Sequence, residues 1–190
     1  MPEYRINANE LFSTLEAWDV FIEGREKIHL IACGGTALTL LGYKPSTVDV
    51  DFVIPVEKEY KRLTAFLAHA GYERQSGHRW QRPGEVVLFD LFAGNYVYTT
   101  GLLDSPLEEG RHRKIREFKR IYLGVLNPID LIITKLFRGS EIDFQDCELL
   151  FRSEKIDMKE LGERYRETAS YETGEAKALR NLELFKKRVM

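Results

Sequence analysis

Cysteine is scarce in this chain: Cys33 and Cys147 are the only two among 190 residues, far apart and without paired spacing. That excludes a disulfide framework and a cysteine-ligated zinc site. A surplus of one charge is also missing, since 28 basic against 30 acidic residues leave a formal net charge of −2. Nucleic acid therefore feels no global attraction, and any such binding must rest on a local patch. No apolar run approaches the ~20 residues that cross a bilayer. The N-terminus shows no basic stretch followed by an apolar one, so no signal peptide is expected and a reducing cytoplasm is the expected location. Neither His29 nor His78 has a second histidine or a cysteine at metal-ligand spacing, which leaves both as structural or exposed residues. What is present, 44% hydrophobic and 31% charged residues, is the composition of an ordinary globular protein. A chain of 190 residues forms one domain, or one with a helical extension, and can bury a real core.

Periodicity orders the elements. Leu11, Leu15, Trp18 and Ile22 recur at helical steps, which predicts a helix from Asn9 to Glu23. Ile28 to Ala32 is apolar enough for a central strand. A glycine-led helix runs to Leu41, and a Lys44-Pro45-Ser46 turn leads into a strand that Pro55 closes. A helix over Val56 to Ala70 follows, then a hairpin over Tyr72 to Phe92 around Pro83-Gly84. After an irregular stretch, Ile121 to Leu126 reads as a strand. Asn127-Pro128-Ile129-Asp130 then opens a helix with an N-cap, a first-turn proline and an acid at the positive dipole end. Another helix starts near Asp143, and the charged remainder from Ile156 is helical and divided near Gly174. The expected class is α/β (α+β), a mixed central sheet flanked by helices. Residues 1–126 would form the core and 127–190 a C-terminal helical region packed on it.

The chemistry concentrates between Ile28 and Ile54. Side chains alternate along a strand, so Asp49 and Asp51 share one face. Two like charges roughly 7 Å apart repel unless a cation lies between them, and hard oxygen ligands suit magnesium. Upstream, Gly34 and Gly35 open a helix whose free N–H groups can hold a phosphate, with the Thr36 hydroxyl beside them. Asp90 is the single charge in the apolar run V-V-L-F-D-L-F; burial there requires a polar partner, a metal or solvent. Lys135 and Arg138 share a face of an otherwise apolar helix. A phosphate cradle near paired carboxylates points to phosphoryl or nucleotidyl transfer.

Gly34-Gly35-Thr36 followed by Thr47-Val48-Asp49-Val50-Asp51 resembles the G-G/S … D-x-D pattern of the DNA polymerase β-like nucleotidyltransferase superfamily. It looks most like the small prokaryotic branch of abortive-infection (AbiEii-type) toxins and minimal nucleotidyltransferases. The resemblance implies the nucleotidyltransferase fold, two Mg2+ ions and transfer of a nucleoside monophosphate from an NTP. It matches Asp90 to the third metal-binding carboxylate beside Asp49 and Asp51, all three being catalytic. It also likens K-L-F-R-G-S-E-I-D-F-Q-D, from Lys135 to Asp146, to an element whose lysine approaches the triphosphate and whose aspartates brace a helix pair. The acceptor would be an RNA (tRNA-like) or protein hydroxyl, and an antitoxin would be the partner if the chain is a toxin.

Two further readings stand beside this one. A nucleotidyltransferase-fold module without turnover would bind nucleotide or a protein partner; the retention of three aspartates counts against it. The basic run from Arg111 to Arg120 is either a solvated edge strand or a surface for phosphates.

Overall fold

The computed structural model describes residues 4–190. Asn7 caps the first helix, α1 (Ala8–Phe21): its side chain accepts from the Asn9 and Glu10 N–H groups, and Glu10 reaches back to the Asn7 N–H at 2.8 Å. This box satisfies donors that every helix start leaves open. The chain continues through β1 (Ile28–Ala32), the short helix α2 (Gly34–Leu40), β2 (Asp49–Ile54) and α3 (Glu57–His69). Where one hairpin was expected, three strands occur. β3 (Glu73–Ser76) turns at Gly77, φ +54°, into β4 (Arg79–Gln81), and the Pro83-Gly84 turn leads on to β5 (Leu88–Ala93). The residues of β3 are all exposed, so it has no alternation to betray it.

β6 (Tyr96–Val97) and β7 (Thr100–Gly101) make a small separate ribbon, and β8 (His112–Glu117) and β9 (Ile121–Leu126) pair antiparallel. Four helices complete the chain: α4 (Pro128–Arg138), α5 (Glu141–Ser153), α6 (Met158–Ser170) and α7 (Glu175–Val189). The helix expected near Asp143 starts at Glu141, because Ser140 and Asp143 cap it reciprocally.

The main sheet has seven strands in the order β3-β4-β5-β2-β1-β9-β8. Parallel pairing joins β2 to β5 and β1 to β9; the other neighbours are antiparallel. The fold is thus the mixed α/β arrangement that the pattern of elements implies. Both central strands are almost wholly buried, as continuous apolar runs require. Alternation separates the two faces of β5. Phe89 meets Trp18 of α1 and Tyr72, with ring centroids 4.8 and 5.8 Å away, so α1 covers that face. Asp90 consequently points to the other face.

A polar clamp fastens the helices to the sheet. Asn127 caps α4 and donates to Asp130 Oδ2 at 2.6 Å. Arg164 of α6 donates to both Asp130 oxygens at 2.7 and 3.2 Å and to Asp104 at 2.9 Å. Arg111, next to β8, meets Asp104 at 3.3 Å. Asp130 is buried, and a buried pair broken on one side leaves an uncompensated charge. Asp130→Ala is expected to lower stability by about 3 kcal/mol, read as a fall in the urea midpoint with an unchanged slope.

Candidate active site

Strand register builds the centre of the site. Asp51 on β2 lies directly across from Asp90 on β5, and Asp90 directly across from Arg79 on β4. Register partners share a face, so the three form a row across neighbouring strands, with Asp49 on the same side of β2. Arg79 grips Asp90 with both arms of its guanidinium, Nε to Oδ1 at 3.1 Å and Nη2 to Oδ2 at 3.2 Å. The same Nη2 is 3.9 Å from Asp49 Oδ2. Asp51 and Asp90 are 3% and 2% exposed, whereas the Asp49 side chain is 36% exposed. Asp49 is therefore the wet member of the set.

Asp51 is held on every side. Tyr98 donates its hydroxyl hydrogen to Asp51 Oδ1 at 2.5 Å. Thr36 accepts the Asp51 N–H at 2.8 Å and donates to the Asp49 carbonyl at 3.2 Å. Gly34 has φ +57°, and a Cβ there would overlap the Asp51 carboxylate. A Cβ at Gly35 would overlap the Thr47 hydroxyl. Only glycine combines the left-handed backbone with this approach. Burial pushes the Asp51 carboxyl up to about 7; the Tyr98 hydrogen bond opposes the rise and the neighbouring Asp90 charge adds to it.

The sequence expectation assigned Gly34, Gly35 and Thr36 to a phosphate. In the structure Thr36 is fully buried and its hydroxyl is engaged by β2, so it braces the carboxylate strand instead of facing a ligand. Gly34 is buried against Asp51, while Gly35 fronts a cavity of about 520 Å³. Asp49, Asp51, Tyr98, Lys44, Lys135 and Arg138 also line that cavity; Asp90 does not.

Opposite the acids stands a wall of paired cations. Lys135 Nζ is 2.8 Å from Asp146 and 3.7 Å from Asp143. Lys44 meets the second Asp146 oxygen at 2.5 Å, and Arg138 meets Asp143 at 2.5 Å. The two aspartates join α5 to α4 across their turn. Arg138 also stacks over the Tyr98 ring, 4.2 Å from its centroid, which ties this wall to the hydroxyl on Asp51.

Sequence reasoning missed Arg79 and Tyr98. Arg79 left a faint signal, because alternation in R-W-Q puts Arg79 opposite the buried Trp80. Tyr98 left none: it occupies a tight turn between β6 and β7 at φ +55°, unusual for an aromatic residue, within an irregular stretch. The basic run behaves as an edge strand with local partners. Arg113 binds Glu154, Lys114 binds Glu117, and Arg116 lies over Phe12 and Phe118. His29 is likewise structural, 3.0 Å from Glu59.

The donor set suits a hard divalent cation at Asp49 and Asp51, whose carboxylates border the cavity and whose mutual repulsion a cation would relieve. The fit does not extend to Asp90, which is absent from the cavity lining and already has the positive charge of Arg79 bonded to both its oxygens. Among the described residues no group of three or more His, Cys, Asp or Glu stands arranged to hold a metal.

The model of a family described as a nucleotidyltransferase of unknown function (DUF6036) matches residues 9–189. The chain belongs to this nucleotidyltransferase family. A crystal structure of a candidate nucleotidyltransferase from H. pylori is similar at 14% identity, with 97% of each chain covered and a TM-score of 0.41. Among curated proteins none matches the chain. No described helix of this nucleotidyltransferase is long and apolar enough to cross a membrane.

The raised Asp51 carboxyl makes stability depend on pH. Well below about pH 4 both folded and unfolded chains hold the proton, and burial of the neutral acid costs little. Between there and about 7 the unfolded chain alone releases it, so stability falls as pH rises, then levels off. Asp51→Asn is expected to remove this slope: the variant gains on the wild type across that window, by a few kcal/mol, in urea denaturation at stepped pH.

Proposed function

We propose that the cavity bordered by Asp49 and Asp51 transfers a nucleoside monophosphate from a nucleoside triphosphate to a hydroxyl of an RNA or protein acceptor. The observation that carries this reading is the opposition of two walls in a nucleotidyltransferase family member: carboxylates on β2, and the Lys44, Lys135 and Arg138 cations of the facing elements. A divalent cation, magnesium by the hardness of its ligands, would be held by Asp49 and Asp51 and would offset charge on the phosphates during transfer.

The chain's own groups divide the remaining work. Lys135 and Lys44 share Asp146, so their charges are fixed in place; with Arg138 they make three cations against Asp143 and Asp146 on this wall of the cavity, where the β and γ phosphates would lie. Such preorganised charge requires no rearrangement when pyrophosphate departs. Tyr98 orients one oxygen of Asp51 and leaves the carboxylate in a single pose. Gly35, lacking a side chain, lets a phosphate come close to the backbone. Residues 127–190 act as the buttress that carries Lys135 and Arg138 to the carboxylate strand, through the clamp at Asp130 and Arg164.

A second reading, a module that binds nucleotide or protein without turnover, draws on one observation: Asp90 and Asp51 are already satisfied internally by Arg79 and Tyr98. One experiment separates the two. The purified protein is incubated with each α-labelled nucleoside triphosphate, magnesium, and total RNA or cell extract. Label in the RNA or protein fraction is expected, and Asp49→Ala is expected to reduce it by about 100-fold or more. Binding of nucleotide with no transferred label would favour the silent module.

A further inference from the structure

The ion pair between Arg79 and Asp90 suggests how many cations the site accepts. We propose that Arg79 stands permanently in the place of one of two cations, so that the chain holds a single divalent ion, at Asp49 and Asp51, with Asp90 serving as the anchor of Arg79. The inference rests on the reading of the cavity as a cation-using transfer site. It departs from an arrangement in which three carboxylates share two ions.

Three observations carry it. Arg79 is not on a mobile loop: it is held in register beside Asp90 within the sheet, so its backbone position is set by the β4–β5 ladder. Its planar fork bonds both Asp90 oxygens, so an ion on Asp90 would have to share each oxygen with the guanidinium's positive charge, and a guanidinium stays charged at every accessible pH. Its Nη2 lies between Asp90 and Asp49, 3.2 Å from one carboxylate and 3.9 Å from the other, which is where an ion shared by the two would have to lie. Asp90 is buried and absent from the cavity lining, so an ion there would first have to expel the guanidinium from its partner.

The test counts Mn2+ bound to the purified chain by the loss of the free-ion EPR signal, with no nucleotide present. Wild type is expected to bind one ion. Arg79→Gln, which keeps a polar group beside Asp90, is expected to bind two. The double variant Arg79→Gln/Asp90→Asn, which leaves the net charge unchanged, is expected to return to one ion with affinity within about threefold of wild type. Circular dichroism verifies that each variant is folded, and the double variant carries the test if the single one is not. Two ions on the wild type, or a double variant that loses its ion, would overturn the proposal while leaving the cation reading of the cavity intact. No ion on the folded wild type would overturn both.

Discussion

Like charges in a place with little water set the terms for this structure. The parallel register of β2 and β5 puts Asp51 directly beside Asp90, and both are almost fully buried. A carboxylate in that position must lose its charge or gain a partner. The chain does some of each. Asp90 has the guanidinium of Arg79, whereas Asp51 has a tyrosine hydroxyl and a carboxyl pushed up to about 7. One acid is neutralised by a cationic partner, and the other is held by a neutral hydroxyl.

The surrounding architecture follows from holding these groups still. Gly34, Gly35 and Thr36 press α2 so closely onto the carboxylate strand and the residues leading into it that a methyl group at Gly34 would collide with Asp51 and one at Gly35 with Thr47. Tyr98 needs its left-handed backbone to bring the hydroxyl to Asp51, and the rings of Phe92 and His78 and the guanidinium of Arg138 enclose it. From Arg138 the chain of contacts passes to Asp143, Lys135, Asp146 and Lys44. Buried ion pairs of this kind add little net stability relative to apolar packing, but they fix geometry. Fixed geometry is what a transfer site requires, since its charges must already be in place when phosphate charge moves.

The cation wall also explains why the helical region and the sheet belong to one site. Lys135 and Arg138 lie on α4, Lys44 on the turn before β2, and Asp49 and Asp51 on β2 itself. The basic run on β8 lies apart from this economy, with its arginines and lysine matched to nearby acids or aromatic rings. Density of charge along a sequence therefore proved a poorer guide than charge placed within apolar segments. Asp51, Asp90 and Lys135, each embedded among hydrophobic residues, all reached the same part of the fold, whereas Arg113 and Lys114 remained on its edge.

Much of the fold was legible because it rests on local rules. Asn127-Pro128 and Gly139 bound α4, the apolar run Ile28–Ala32 is a central strand, and alternation put Asp49 and Asp51 on one face. Those features depend on residues close in sequence, where side-chain period and capping act directly. Pairing between distant strands does not. That Arg79 would lie across from Asp90, or that Tyr98 would lean over Asp51 from a turn 47 residues away, follows from sheet order and packing. The same holds for Thr36, whose hydroxyl found a backbone partner that no local pattern announces. The amino-acid sequence by itself determined which charged groups had to be buried, through the apolar company each one keeps. Only the tertiary structure decided which partners meet them, because that choice depends on which strands lie side by side.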